Sequence, residues 1–135
     1  MARISLLTLH LAAPLEYSES PGSDAATESL LVFRNEDLVI QTRDSGPRVA
    51  DPLPQPSFQG TRNGGKDGDT AVFRIQPGDY LFAQWRPGDY PGLAEALEDI
   101  ARQTWWEKRR TVGLWMVRML EEDGQTALQC WIRVG

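Results

Sequence analysis

The chain has 135 residues, 41% of them hydrophobic and 24% charged, the size and composition of one domain that buries a core without disulfide or metal staples. Fourteen Lys and Arg against nineteen Asp and Glu give a net charge of -5, which repels phosphate backbones and disfavours nucleic-acid binding. No apolar run is long enough for a membrane span, and the single cysteine, Cys130, excludes an internal disulfide and fits a reducing, cytoplasmic compartment.

Residues 1–13 have the outline of a signal peptide, with Arg3, an apolar stretch and then small residues. Thr8 and His10 interrupt that stretch, and Pro14 follows the would-be cleavage site. Leu7, Leu9 and Leu11 alternate with Thr8 and His10, the period of a half-buried strand, and a strand is the expectation. Residues 14–28 read as a loop around Pro14, Pro21 and Gly22. Residues 29–42 predict two short strands, SLLVFR and DLVIQT, with Asn35, Glu36 and Asp37 as the turn. Residues 44–70 carry Pro47, Pro52, Pro54 and Pro56, then Gly60, Gly64, Gly65 and Gly68. They predict a long surface loop with neither an interior strand nor a helix.

Residues 71–76 predict a strand, Gln76-Pro77-Gly78-Asp79 a type II turn, and residues 80–86 the return strand. Pro87-Gly88-Asp89-Tyr90 repeats the turn pattern ten residues on. A helix is expected over 91–108, with Pro91 at its first position and Asp89 helping to satisfy first-turn amides. Leu93, Ala96, Leu97, Ile100 and Thr104 share one face, flanked by Ala101 and Trp105; Glu95, Glu98, Asp99 and Arg102 cover the other. The basic run Lys108-Arg109-Arg110 reads as favourable charge at the helix C-terminus. The last 25 residues predict a hairpin turning at Asp123-Gly124. One of its faces is apolar (Trp115, Val117, Met119, Leu128, Cys130, Ile132) and should pack on the helix. The other mixes Leu114, Met116, Leu120, Ala127 and Trp131 with Arg118, Gln129 and Arg133. The fold expected is a single α+β domain: a mostly antiparallel sheet, one amphipathic helix packed on one face, and a long Pro/Gly-rich loop.

Residue chemistry removes several activities. His10 is the only histidine, so a three-histidine or Cys-His metal site is excluded, and a Ser-His or Cys-His pair would need His10 as its base. Its alternation with leucines places it toward solvent or a strand edge. Cys130 falls mid-strand on the apolar face and reads as a small hydrophobe. Gly60-Thr61-Arg62-Asn63-Gly64-Gly65-Lys66 matches the first seven positions of a phosphate-binding loop. Asp67 replaces the hydroxyl residue, no strand precedes the loop, and no helix follows. Asn63, Asp67 and Asp69 are calcium-type oxygen donors without EF-hand spacing. No cofactor or metal is expected. Carboxylate catalysis would need two of Asp79, Asp89, Glu95 or Glu121 at one pocket, and no base, nucleophile and orienting group occur together.

The five tryptophans carry the most information. Trp115 belongs to the core face, and Trp85 alternates with Leu81 and Ala83, as a core or pocket residue. Trp106 falls on the polar side of the helix if the helix reaches it, or tucks back into the core if the helix ends at Trp105; Trp131 falls on the mixed face of the hairpin. Tryptophan left at a surface is enriched at interaction hot spots.

Pro77-Gly78-Asp79-Tyr80-Leu81-Phe82, the helix from Leu93 to Trp105, and the hairpin ending Trp131-Ile132-Arg133-Val134 give residues 72–134 an order that resembles one half of a gyrase-inhibitor-like small-molecule-binding domain. Such domains take small, often aromatic or cationic molecules in a cleft between two strand–helix–strand–strand halves. The resemblance implies a cleft bordered by Tyr80, Trp85 and Trp115. The family commonly carries a glutamate on the strand after the helix, where this chain reads Val112-Gly113-Leu114-Trp115-Met116, and the first half shows no matching helix. The expected function is a non-catalytic binding module that engages a protein partner, or self-associates as a homo-oligomer, through exposed aromatics. Tyr80, Trp85, Trp106 and Trp131 are the contact candidates. A small-ligand-binding domain is the alternative, and a carboxylate-based enzyme comes third.

Overall fold

A computed structural model describes residues 6–19, 28–40, 46–61, 72–108, 111–122 and 124–134. The elements in chain order are β1 (Leu7–Leu11), β2 (Leu15–Glu19), β3 (Glu28–Arg34), the one-turn α1 (Asn35–Leu38), β4 (Val39–Ile40), β5 (Arg48–Val49), β6 (Phe58–Thr61), β7 (Val72–Ile75), β8 (Gly78–Trp85), α2 (Leu93–Trp106), β9 (Thr111–Glu122) and β10 (Gln125–Val134). Among the described residues eight strands form one sheet in the order β1-β8-β10-β9-β3-β6-β2-β7, and β4 pairs with β5 separately. Every pairing is antiparallel, so the fold is α+β, a mostly antiparallel sheet with one long helix.

The strand order forces a curl. β7 is eighth in the sheet and β8 second, six strand spacings apart, which in a flat sheet is roughly 29 Å. Only Gln76 and Pro77 separate Ile75 from Gly78, a reach of roughly 11 Å. β1 and β2, first and seventh, are also six spacings apart and are joined by residues 12–14, a reach of roughly 15 Å. The sheet therefore bends until its ends meet, and the chain crosses between them at two corners. At the β7–β8 corner Gly78 has φ +147°, a region that side chains other than glycine's rarely enter. The Tyr80 hydroxyl donates to the Gln76 carbonyl and ties the corner down.

Gln76-Pro77-Gly78-Asp79 is thus a corner and not a hairpin turn. β8 pairs with β1 and β10, while β7 pairs with β2. Proline and glycine suit a bend between sheet ends as well as a tight hairpin, and the local sequence does not distinguish them. The loop expected over 44–70 is corrected in the same way. Phe58–Thr61 is an interior strand, paired with β3 on one side and β2 on the other. It is a proline-free stretch whose Gly60 is buried beside Leu30. Gly60 and Thr61, the first two positions of the phosphate-loop match, end β6, so a strand does lead into that motif; its remaining positions and the calcium candidates, from Arg62 to Asp69, lie outside the described residues. Of the strand expected over 37–42, Asp37 and Leu38 belong instead to the single turn of α1 and Val39–Ile40 is strand, while residues 41 and 42 lie outside the described residues.

Alternation sorts the sheet into two faces. The inner face gathers Tyr17, Leu30, Val32, Ile75, Tyr80, Met116 and Trp131, with Leu11, Leu15, Phe58, Phe73 and Phe82 packed against them. Members come from both ends of the sheet, as the curl requires. The outer face holds Leu81, Ala83, Trp85, Trp115, Val117, Leu128, Cys130 and Ile132, covered by Ala96, Leu97, Ile100 and Ala101 of α2. The buried Trp115 indole donates to Asn35 Oδ1 at 2.9 Å, which anchors α1 to the sheet.

α2 starts two residues later than expected, with Gly92 as its N-cap. Asp89 instead closes the 3₁₀ turn at Pro87–Asp89 by accepting the Arg86 N–H at 3.0 Å. The helix ends where Lys108 takes φ 54°, a left-handed stop. Gly46 packs on the Trp105 ring so closely that an added Cβ would lie 3.1 Å from it. Among the described residues no helix is long and apolar enough to cross a membrane.

The corner at Gly78 can be tested. An added Cβ there would meet nothing within 4 Å, so the cost of Gly78→Ala is conformational. It should destabilise the fold by about 1–3 kcal/mol, read as a lower urea midpoint at unchanged slope. An unchanged midpoint would mean that the corner tolerates an ordinary φ.

Candidate functional site

The inner face is graded along its strands. Around Tyr80 it is aromatic: Trp131 packs edge-on against Tyr80 and Phe82, with ring centroids 5.7 Å and 5.2 Å away. Toward the β9–β10 turn it becomes polar. There Arg118 on β9 faces Gln129 on β10, which faces Gln84 on β8, while Arg118 also stands across from Leu30 on β3, two residues from Glu28. The pleat alone sets these side chains on one face.

Arg118 is the hub, 8% exposed. Its Nη2 donates to Glu28 Oε2 at 2.7 Å and its Nη1 to Gln129 Oε1 at 3.0 Å. Its guanidinium carbon lies 5.4 Å from the centroid of the Trp131 ring, a cation–π stack. The Tyr17 hydroxyl donates to the same Glu28 oxygen. The Trp131 indole N–H reaches Gln129 Oε1 at 3.2 Å, and Gln129 Nε2 donates to Gln84 Oε1 at 3.0 Å. A buried ion pair repays its desolvation only when its remaining donors and acceptors are engaged, and here Tyr17, Gln129 and the Trp131 face supply that. Arg118 Nε is the exception, buried without a hydrogen-bond partner among the described residues.

Above this network lies a cavity of about 460 Å³, lined by Gln84, Arg86, Leu120, Gln125, Thr126, Ala127 and Gln129. That volume falls in the range of small-molecule sites, and the mouth of a curled sheet is a common place for one. Gln84 and Gln129 belong both to the lining and to the network, so the buried charge pair sets how their amides are presented.

The residues expected to make contacts are divided by the fold. Trp106 is 70% exposed at the end of α2, and Trp105 beside it is 48% exposed, with ring centroids 5.2 Å apart. Tyr80, Trp85 and Trp131 are each at most 5% exposed and present no surface to a partner. Trp131 instead supplies a ring under Arg118 and an N–H to Gln129. Tyr80 lies on the inner face, whereas Trp85 and Trp115 lie beneath α2, so the three do not border one cleft.

The remaining candidates are engaged locally. His10 Nδ1 lies 2.8 Å from Asp79 Oδ1 at the exposed β1–β8 edge, and Asp89 closes its own turn. Burial pushes the Cys130 thiol far above its usual range, leaving it inert as a nucleophile. Among the described residues no group of three His, Cys, Asp or Glu is placed to hold a metal. Sequence reasoning set Arg118 and Gln129 on one face of the hairpin but missed their partners Glu28, Tyr17 and Gln84. Glu28 is 90 positions from Arg118, and no local periodicity carries such a pairing.

Tyr17 gives the network a pH signature. Burial, then its hydrogen bond to Glu28, hold its hydroxyl well above the ordinary value of 10.0. A group whose folded pKa is raised stabilises the fold below its unfolded pKa and loses that contribution as pH rises beyond it. Stability should therefore fall above about pH 10, by up to about 1.4 kcal/mol per pH unit from this group. Urea midpoints between pH 8 and pH 11 should decline less steeply in Tyr17→Phe than in the parent; parallel declines would mean that Tyr17 ionises freely in the folded state.

No protein-family model matches the chain, and no curated protein matches it.

Proposed function

We propose that this protein is a non-catalytic module that binds a small polar ligand in the cavity between the ends of β8, β9 and β10. The observation that carries the reading is the cavity itself: about 460 Å³, with two floor glutamines held by a buried charge network. Side chains locked from behind make a preorganised site, because little ordering entropy remains to be lost on binding. Among the described residues the lining includes no carboxylate, histidine or thiol, which favours binding over carboxylate or nucleophilic catalysis.

Thermal unfolding against a library of metabolites tests this directly. A ligand present at about a hundred times its dissociation constant adds about 2.7 kcal/mol and raises the midpoint by about 2–8 °C. Ala127→Phe, which fills the cavity from β10, should abolish that shift while leaving the ligand-free midpoint within a few degrees. A shift that survives Ala127→Phe places the ligand elsewhere and removes the reading.

A second reading is supported by the exposed pair Trp105 and Trp106, a surface suited to a protein partner or a second copy of the chain. Sedimentation over a concentration series separates these two. Self-association through the pair should be lost in Trp106→Ala; a parent protein that stays monomeric throughout leaves only a different protein as partner.

A further inference from the structure

We infer that the cavity selects ligands bearing a carboxylate, an inference that rests on reading the cavity as a ligand site. The argument begins at Gln129. Two groups lie within hydrogen-bond distance of its Oε1: Arg118 Nη1 at 3.0 Å and Trp131 Nε1 at 3.2 Å. A guanidinium and an indole are donors only, so the Gln129 atom between them must be the acceptor oxygen. Its amide nitrogen is then turned toward Gln84, 3.0 Å away, and meets the Gln84 oxygen. This leaves the Gln84 amino group with two N–H donors. The Gln84 side chain makes no other hydrogen bond among the described residues, and the residue is exposed, so those donors end the chain at the cavity.

The relay cannot easily be reversed. Flipping both amides to present an acceptor would set the Gln129 amino group against Arg118 and Trp131, two donor-to-donor contacts in a buried place, with each stranded donor costing about 1–3 kcal/mol. Glutamines usually suit donor or acceptor ligands alike; here the positive charge of Arg118 commits them to one polarity. Arg118 Nε, already without a partner, adds no acceptor that could relieve a flip.

Arg86 completes the pattern. Among the described residues it is the one charged member of the lining, and its side chain forms no ion pair there. A fixed amide donor and a guanidinium around one cavity complement a carboxylate. An ammonium or guanidinium ligand would meet donors of its own kind and a like charge, which disfavours the cationic ligand that the gyrase-inhibitor-like resemblance implies.

The test titrates the protein, at constant ionic strength, with acetate, succinate, citrate, benzoate and phenylacetate, each beside its primary amide. The best carboxylate should bind at least about tenfold more tightly than its amide, the scale of one charge-assisted contact of about 1.4 kcal/mol. Gln84→Glu still accepts from Gln129 but replaces the outward amino group with oxygen; it should weaken that carboxylate at least about tenfold, with the ligand-free midpoint unchanged. Arg86→Gln should weaken it several-fold. If amides or amines bind as tightly as carboxylates and Ala127→Phe abolishes their binding, the carboxylate inference is wrong and the cavity reading stands. Carboxylate binding indifferent to Gln84→Glu also overturns the inference. If no compound, in this panel or in the wider library, binds in a manner sensitive to Ala127→Phe, the cavity reading itself fails.

Discussion

The structure depends on two short links. Two residues between β7 and β8 and three between β1 and β2 must span positions that a flat eight-stranded sheet would hold six strands apart. Backbone geometry offers one escape, which is to curl the sheet until its ends meet. Curling gives the sheet an inside, and the inside must be filled. The outer face remains broad enough to seat α2, so one sheet supports two separate cores, one against the helix and one against itself. The Tyr80 hydroxyl bond to Gln76 and the φ of Gly78 are the local terms that hold one corner.

The inside is not filled uniformly. Tyr80, Phe82, Trp131, Met116 and Val32 fill one end, and Arg118, Glu28, Gln129 and Gln84 occupy the other. The switch happens within single strands, two residues apart: Trp131 to Gln129 on β10, and Met116 to Arg118 on β9. The same pleat that gives an aromatic plug thus gives a polar floor, and Trp131 belongs to both through its ring and its N–H.

This division explains what could be read in the chain and what could not. The β9–β10 hairpin was legible because alternation and a turn at residues 123–124 are local signals; its apolar face does carry Trp115, Val117, Leu128, Cys130 and Ile132 into the helix-side core. The mixed face was legible as mixed, but its meaning lay in Glu28 and Tyr17, which arrive from β3 and β2. Pairing between distant strands leaves no trace in a short window. Phe58–Thr61 was hidden by the prolines before it and the glycines after it, although a four-residue strand needs neither. Trp106 was read onto the polar side of the helix from spacing alone and is exposed there, whereas Trp131 had an equal claim on pattern and is 4% exposed. What separated them was the curl, which buries one side of the hairpin and leaves the end of α2 in solvent.

The buried pair itself is not explained by stability. Well-packed apolar residues in place of a buried Arg–Glu pair are often neutral or stabilising, because both charges must be desolvated to form it. A core of Leu and Met at that end would hold the curl as well. What such a core would lack is a fixed direction for the amides above it. An exposed glutamine is free to turn its oxygen or its nitrogen outward and so specifies nothing. Gln84 loses that freedom only because Gln129 has lost it, and Gln129 has lost it because Arg118 and Trp131 offer donors alone. The cost of burying the charge at Arg118 is thereby converted into a defined polarity at the cavity; on the ligand-site reading proposed above that polarity serves recognition, and it contributes little to folding.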